Sequence, residues 1–459
     1  MQNLTKKFGL PMAICMVVGI VIGSGIFFKA QDVLEITGGN TLLGIVAWLI
    51  GGAIMVVFTA TFAIMATKYE KNNGVMDYAE ATCGSGYAYF IGWFLTTIYY
   101  PAMTSVLAWV CARYTMVCFF GYTANSPEAL FGAPTILIAA LYLVVMYFIN
   151  TVSPKLAGKI QVSSTVIKLI PIVLIAIVGT VAGLVNGTLG ENFLSSQTVD
   201  ATFGEGEGAG LFAAVCCTAF AYEGWIIATS INAEIKDSKR NLPIALLFGS
   251  LIVVAAYVLY YVGILGFADS ATLIDKGTNE AFKFFGTVGN ALINFFIVVS
   301  CLGTLNGLTV ALCRGMFSLA VRGEGPKPDM FSEIDKESGM PTNSGIFGLF
   351  VCILWFAFFI GGQFFGWFGE FAFDSSELPI ITIYPLYVPM LLSFMIKHKE
   401  LGIFKRFVLP TLCIVGAGVM VMASIFRHGL DNIWYLIVFA VVMLIGAVLY
   451  FRRRGNSRI

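Results

Sequence analysis

The chain alternates long apolar stretches with short polar segments, and each stretch exceeds the roughly 20 helical residues needed to cross a bilayer. The stretches begin near Leu10, Leu42, Ala88, Pro134, Gln161, Gly210, Pro243, Phe284, Gly345, Glu377, Phe407 and Asn432. Of the 459 residues 58% are hydrophobic and 12% charged, and the mean hydropathy is +0.87. This composition excludes a soluble domain of this size. We predict an all-α polytopic membrane protein with twelve transmembrane helices.

Two of the predicted spans contain residues that form helices poorly. Gly23-Ser24-Gly25 lies in the middle of the first span, and Glu223-Gly224 interrupts the sixth. Non-helical backbone at membrane depth is tolerated where it packs in protein or lines a wet cavity, and there its amides can bind an anion such as a carboxylate. The alternative for the first span is a continuous helix whose small residues let a neighbour pack closely.

The two interruptions occupy equivalent places in two halves of the chain. Spans one to five pair with spans six to ten, and the halves enter the membrane from opposite sides because five is odd. This arrangement is typical of an inverted repeat with its site at broken helices. We therefore divide the chain into repeats 1–188 and 189–397, followed by spans eleven and twelve with a cytoplasmic tail, 398–459.

Basic residues within the spans are few. Lys168 lies roughly 10 Å along the fifth helix from Gln161, so its ammonium is expected to face a cavity or a partner, with snorkelling to the surface as the alternative. Arg113, near the end of the third span, is expected to snorkel, and Lys29 is assigned to an outer loop.

Glu223 is exceptional among the acids, because the others can be placed in loops or at span ends. A charged acid at mid-membrane costs roughly 3 kcal/mol on translocon scales, so this carboxyl is expected to be protonated, partnered or hydrated. It could cap freed amides of the broken helix, attract an ammonium group, or carry a proton during a cycle. The residues leave these three roles open.

Two further stretches could line a cavity or serve packing alone. Tyr99-Tyr100-Pro101 interrupts the hydrogen-bond ladder of span three, and the small, hydroxylated stretch Ser300 to Gly307 lies in span eight. The two histidines, His398 and His428, lie at loop ends, which argues against an intramembrane enzyme. The ten cysteines show no disulfide framework or metal spacing, and no cofactor is predicted.

Most of the 27 lysines and arginines fall in loops on one side of the membrane. This bias predicts that both termini are cytoplasmic in a multi-pass protein of the cell (inner/plasma) membrane. The first apolar stretch lacks a small-residue cleavage site and is predicted to be a helix, not a signal peptide.

The chain resembles the L-type amino-acid transporter (LAT) family of the amino acid, polyamine and organocation (APC) superfamily. The resemblance covers most of the first ten spans and rests on Gly23-Ser24-Gly25-Ile26-Phe27, Phe220-Ala221-Tyr222-Glu223-Gly224-Trp225, Ala233-Glu234-Ile235, Arg240-Asn241-Leu242-Pro243 and the stretch 300–307. It implies a five-plus-five inverted repeat of the leucine-transporter type, with helices one and six broken and two extra helices.

The resemblance also implies roles for individual residues. The amides of Ser24, Gly25 and Ile26 would bind the carboxylate of an L-amino acid. The carbonyls of Ile20, Phe220 and Ala221 would accept from its ammonium, with the Phe220 ring as a lid. Lys168 would replace the sodium ion of related transporters. Apart from the resemblance, we predict that Lys168, Phe220 and Glu223 take part in coupling or gating.

Two departures from the family pattern matter. The loop Gly121 to Gly132 has no cysteine, so no disulfide-linked glycoprotein subunit is expected. Glu223 stands where many members carry a small residue. The expected function is sodium-independent L-amino-acid transport by alternating access, as an exchanger of small or medium neutral amino acids. The alternatives are a proton-coupled or cationic amino-acid or amine transporter using Glu223, and a non-transporting receptor on the same scaffold.

Overall fold

A computed structural model of the chain describes residues 9–23, 25–69, 74–194, 210–228 and 235–456. Helices account for nearly all of these residues. Those of the first half are α1 (Leu10–Val21), α2 (Gly25–Ile36), α3 (Thr41–Lys68), α4 (Val75–Cys83), α5 (Ser85–Phe94), α6 (Tyr100–Phe120), α7 (Pro127–Phe131), α8 (Ala133–Val152) and α9 (Pro154–Asn186).

The second half of the chain continues in the same way. Its helices are α10 (Thr188–Leu194), α11 (Leu211–Tyr222), α12 (Trp225–Ala228), α13 (Ser238–Phe267), α14 (Ser270–Lys276), α15 (Gly286–Ala320), α16 (Pro328–Phe331), α17 (Thr342–Phe364), α18 (Ile380–Lys397), α19 (Leu409–His428) and α20 (Asn432–Asn456). Short 3₁₀ segments precede α15 and α20, and a π-helical turn, Phe404–Val408, precedes α19.

Nine helical runs in the described ranges are long and apolar enough to cross a membrane. One of them, Phe404–Arg453, contains α19 and most of α20, and two shorter apolar helices, α1 and α11, lie outside the nine. The prediction of an all-α protein with many helices that can cross a membrane is therefore confirmed.

Both predicted interruptions are breaks in the helices. α1 ends at Val21 and α2 begins at Gly25, while α11 ends at Tyr222 and α12 begins at Trp225. Between α11 and α12, Glu223 is extended, with φ −67° and ψ 166°. Gly224 has φ +100°, a conformation that favours glycine because it lacks a Cβ. The Glu-Gly pair thus ends one helix and redirects the chain into the next.

Close backbone packing holds α13 against α9. A Cβ built on Gly263 would lie 2.3 Å from the carbonyl oxygen of Ile175, and one on Gly179 would lie 2.0 Å from that of Gly263. Such contacts are possible only between small residues, as is common in membrane helix pairs. α13 also packs against α1 and α3, so it sits behind the break of the first helix.

Span three is not broken at its proline. The helix passes through a π-helical turn, Leu95–Tyr99, and continues as α6 with Pro101 near its start. A π-helical turn widens the helix locally and is frequent at functional sites. Ahead of it, the short helix α4 lies between α3 and α5.

Candidate functional site

The two helix breaks touch each other. A Cβ built on Gly25, the first residue of α2, would lie 2.5 Å from the Cα of Ala221 in the last turn of α11. Two carbon atoms cannot approach so closely, so only glycine at position 25 allows the two helices to meet at this point.

A single hydroxyl joins the two breaks from behind. The Tyr257 hydroxyl of α13 lies 3.1 Å from the carbonyl oxygen of Val21 and 3.1 Å from that of Ala221, and its one hydrogen is shared between these two acceptors. Tyr257 is fully buried. Since the ends of α1 and α11 each leave carbonyls without helical partners, this hydroxyl satisfies one acceptor from each helix.

Lys168 of α9 also donates to a carbonyl near the end of α1. Its side chain is fully buried, and its ammonium donates to the carbonyl oxygen of Gly19. The ammonium therefore does not reach the surface by snorkelling. Of the last four carbonyls of α1, that of Val18 accepts from the N–H of Ile22, and those of Gly19 and Val21 have the partners already named. The remaining one of these four carbonyls is that of Ile20.

A cavity of about 350 Å³ begins at the breaks. Gly23, Gly25, Phe220, Ala221 and Glu223 line its deep end. Its other end reaches the face of the molecule at which α1 begins, and we call this the α1 face. The polar part of the span-eight stretch is also present in the lining, through Thr304, Asn306 and Gly307.

The carboxylate of Glu223 lies between two tyrosines. Its Oε2 accepts from the Tyr99 hydroxyl, and its Oε1 lies 3.4 Å from the Tyr384 hydroxyl of α18. Among the described residues no lysine or arginine forms an ion pair with it. Glu223 is half-buried and lines the cavity, so its carboxylate is available to a polar solute there.

Aromatic rings close the cavity on the side opposite the α1 face. Phe220 packs edge-on against Phe28 of α2, with ring centroids 6.0 Å apart. The Lys29 ammonium lies 4.5 Å from the Phe28 centroid and 5.8 Å from that of Phe220. The Phe220 ring therefore separates the cavity from a group of charges beyond it.

These charges form an ion cluster that joins three parts of the chain. The ammonium of Lys29 lies 2.6 Å from Glu377 Oε1, 3.2 Å from Asp374 Oδ2 and 3.1 Å from Asp32 Oδ2. Arg427, at the end of α19, places its Nε 3.1 Å from Glu377 Oε2. Lys29 and Glu377 are both 0% exposed. The cluster thus fastens α2 to the segment before α18 and to α19.

The assignment of Lys29 to an outer loop was wrong, because α2 continues the first span past Phe28 and buries it. The expectation that Arg113 snorkels was also wrong. Its Nε lies 2.9 Å from the carbonyl oxygen of Ala124, its NH2 lies 2.8 Å from Asn125 Oδ1, and the side chain is buried.

Thiol and carboxylate groups beside the ion cluster come close enough to offer ligands to a metal. Cys216, Glu377 and His428 place one ligand atom each within 4.8 Å of one another. However, both carboxylate oxygens of Glu377 already face Lys29 or Arg427. A metal ion would have to displace these cations, so the residues fit an ion cluster better than a metal centre.

The predicted site residues fall into three groups. Gly25, Phe220, Ala221 and Glu223 line the cavity together. Ile26 is buried in α2 outside the lining. Ser24 lies outside the described residues, and for Ile20 the description extends to the backbone but not to the side chain.

Sequence reasoning missed two of the tyrosines that organise the site. Tyr257 and Tyr384 lie within apolar runs, where a tyrosine is common and carries no distinguishing signal. Of Tyr99 and Tyr100, only Tyr99 lines the cavity. In the span-eight stretch, Gly303 instead packs against Ser164 of α9, so this stretch serves both cavity and packing.

Comparison with known proteins places this geometry in context. The profile of a family described as amino acid permease matches residues 8–448. The serine/threonine exchanger SteT of Bacillus subtilis is 29% identical over 403 residues, covering 87% of this chain and 85% of its own length. The human b(0,+)-type amino acid transporter 1 is 27% identical over 98% of this chain and 88% of its own. The human cystine/glutamate transporter is 27% identical over 74% of this chain and 65% of its own.

A cavity at two broken helices within a polytopic membrane fold is typical of membrane transport proteins. The chain belongs to the amino acid permease family of the APC superfamily, and its relatives are transporters of the LAT type.

The contact between the breaks makes a direct prediction about Gly25. Gly25→Val would force its side chain into the backbone of Ala221, so uptake of labelled amino acid into proteoliposomes should be lost. Overpacking of this kind costs about 1–3 kcal/mol, so the protein should still reach the membrane. Gly418→Val is the matched control, because nothing lies within 4 Å of a Cβ there. Wild-type uptake by Gly25→Val would show that the contact is dispensable.

Proposed function

We propose that the protein is a sodium-independent exchanger of small or medium neutral L-amino acids that works by alternating access. The observation that carries the proposal is the meeting of two helix breaks at the deep end of a cavity. The proposed scaffold has twelve spans, with a five-plus-five inverted repeat (1–188 and 189–397) and two extra helices in 398–459. Both termini are proposed to be cytoplasmic.

The zwitterion of an amino acid suits this arrangement. The N-terminus of α2 carries a partial positive charge, so the amides from Ser24 to Ile26 would bind the carboxylate. The last turns of α1 and α11 carry the opposite partial charge, so the carbonyls of Ile20, Phe220 and Ala221 would accept from the ammonium. The Ile20 carbonyl is favoured because its neighbours in α1 already accept from Tyr257 and Lys168.

The conformation supports access from one side at a time. The cavity reaches solvent at Gly158 and Arg314, which are both exposed, while Phe220 and the ion cluster close the opposite side. With the α1 face assigned to the cytoplasm, this conformer is inward-facing. Opening of the other side would require α2 to separate from Glu377 and α19.

Lys168 gives a physical reason for sodium independence. Its ammonium occupies a place beside the carbonyls that end α1, where a bound cation would otherwise be needed to satisfy them. Because the charge is tethered to α9, no ion needs to bind for the site to form. We propose that Lys168 couples α9 to the break in α1 during the cycle.

Counterflow measures this proposal directly. Proteoliposomes loaded with unlabelled L-serine should accumulate labelled L-serine, whereas empty ones should not. Replacing sodium with choline should leave the initial rate nearly unchanged, because Lys168 supplies the cation. A strict sodium requirement would contradict the role of Lys168, and equal uptake by loaded and empty vesicles would contradict exchange.

L-Serine is a suitable test substrate because one relative is named as a serine/threonine exchanger.

A second function is favoured by one observation: the carboxylate of Glu223 lines the cavity and has no cationic partner among the described residues. Such a carboxylate could bind the second positive group of a cationic amino acid or amine, or could carry a proton. We propose that the Glu223 carboxylate lies near the ammonium of a neutral substrate. The alternative is that Glu223 binds and releases a proton during the transport cycle.

Glu223→Gln separates these roles, because it removes the charge with little change of shape. If Glu223 is ionised and faces the ammonium, apparent affinity for L-serine should fall about tenfold, the worth of a charge-assisted hydrogen bond. Glu337→Gln is the control, since Glu337 is exposed outside the cavity. Uptake should be compared across pH and between neutral and cationic substrates. If the uptake rate, its pH dependence and the preference between neutral and cationic substrates are all unchanged in Glu223→Gln, Glu223 has only a structural role.

The proposal includes no disulfide-linked glycoprotein subunit. Its basis is the absence of cysteine from the loop between spans three and four, Gly121 to Gly132.

A further inference from the structure

The half of the cavity nearest the α1 face has a polar lining of its own. α15 contributes Thr304, Gly307, Val310 and Arg314, which recur every three or four residues and so share one side of the helix. From Thr304 to Arg314 the helix rises roughly 15 Å, at 1.5 Å per residue. We call the part of the cavity between Asn306 and Arg314 the vestibule.

An amide pair forms one wall of the vestibule, and backbone carbonyls fix how both amides point. Asn306 Nδ2 donates to the carbonyl oxygen of Ala157 at 3.1 Å, so its Oδ1 faces the other way and accepts from Asn150 Nδ2 at 3.0 Å. Asn150 Nδ2 also donates to the carbonyl oxygen of Met146 at 2.8 Å. Because a carbonyl can only accept, neither amide can be flipped without losing these bonds.

This arrangement leaves one acceptor unused. Asn150 Oδ1 has no donor among the described residues, although Asn150 is only 1% exposed and lines the cavity. A buried acceptor without a partner is unfavourable, and a solute N–H would satisfy it.

A positive charge lies at the mouth of the same vestibule. Arg314 and Glu223 are the charged members of the cavity lining, and Glu223 lies at the deep end. Arg314 is exposed and lines the cavity, and because side chains on a helix lean toward its N-terminus, its long side chain can reach in the direction of Asn306. Arg314 forms no ion pair with any carboxylate of the described residues, and its guanidinium can bind a carboxylate in two parallel hydrogen bonds.

We propose that the vestibule is a second, weaker amino-acid site on the route to the α1 face. Arg314 binds the carboxylate of the solute, and Asn150 Oδ1 accepts a hydrogen bond from its ammonium. The recognised chemistry is that of a zwitterionic α-amino acid. This inference rests on the proposed function and extends it, because an exchanger releases one amino acid and takes up another through the same opening.

Equilibrium binding of labelled L-serine to the purified full chain tests the second site. Wild-type protein should show a tight phase and a weak phase. Arg314→Gln should weaken the weak phase roughly three- to fivefold, as expected for a partly exposed ion pair, and spare the tight phase. Arg314→Lys, which keeps the charge, should retain most of it. Arg452→Gln is the matched control, because Arg452 is exposed on α20 outside the cavity.

The outcomes separate the two proposals. A single phase in wild-type protein, or a weak phase that Arg314→Gln leaves unchanged, would overturn the second site while sparing the proposed function. Absence of any binding would contradict the proposed function, and the second site with it. The tight phase also reports folding of each variant. If Arg314→Gln loses the tight phase, competition by L-serine amide on the wild-type protein tests the second site instead. L-serine amide lacks the carboxylate, so it should fail to compete with labelled L-serine for the weak phase. Full competition would overturn the proposal.

Discussion

The contact between the two broken helices is the constraint on which the rest of the structure depends. Ending a helix inside a membrane leaves carbonyls and amides without partners, and lipid cannot supply any. Here Gly25 lets α2 meet α11 at Ala221, and Tyr257 satisfies one carbonyl from each break. Lys168 supplies a second donor from α9. These contacts stabilise the breaks while leaving other backbone groups free to face the cavity.

The two ends of the cavity differ because different interactions surround them. On one side Phe220 and Phe28 lie beneath a cluster in which buried Lys29 contacts three carboxylates. Separating a buried charge from its partners is costly, so this side opens only if the whole cluster reorganises. On the α1 face, glycine, amides and one arginine line the opening. The difference between the two ends of the cavity therefore arises from charge pairing. Alternating access would require the ion pairs of this cluster to separate and form again.

The sequence revealed the breaks but not the groups that hold them. Gly25 and Glu223-Gly224 were predictable because glycine and a carboxylate inside an apolar run contradict an uninterrupted membrane helix. Lys29 was misplaced because a lysine after an apolar run resembles the end of a span, and only its three-dimensional partners allow its burial. Glu377 was predicted to begin the tenth span and lies in the turn just before α18, yet nothing in the sequence indicated that it is 0% exposed. Tyr257 contacts Val21, 236 positions away, and Asn150 contacts Asn306, 156 positions away, and local patterns carry no record of such pairings.

The central claim is that the two breaks together bind one amino acid through their backbones. An experimental structure of the full chain in lipid nanodiscs, determined with saturating L-serine, tests this most directly. We expect density for the carboxylate at the amides that begin α2 and for the ammonium at the carbonyls that end α1 and α11, with Phe220 over it. Density at the ion cluster or elsewhere in the chain, with none between the breaks, would contradict it.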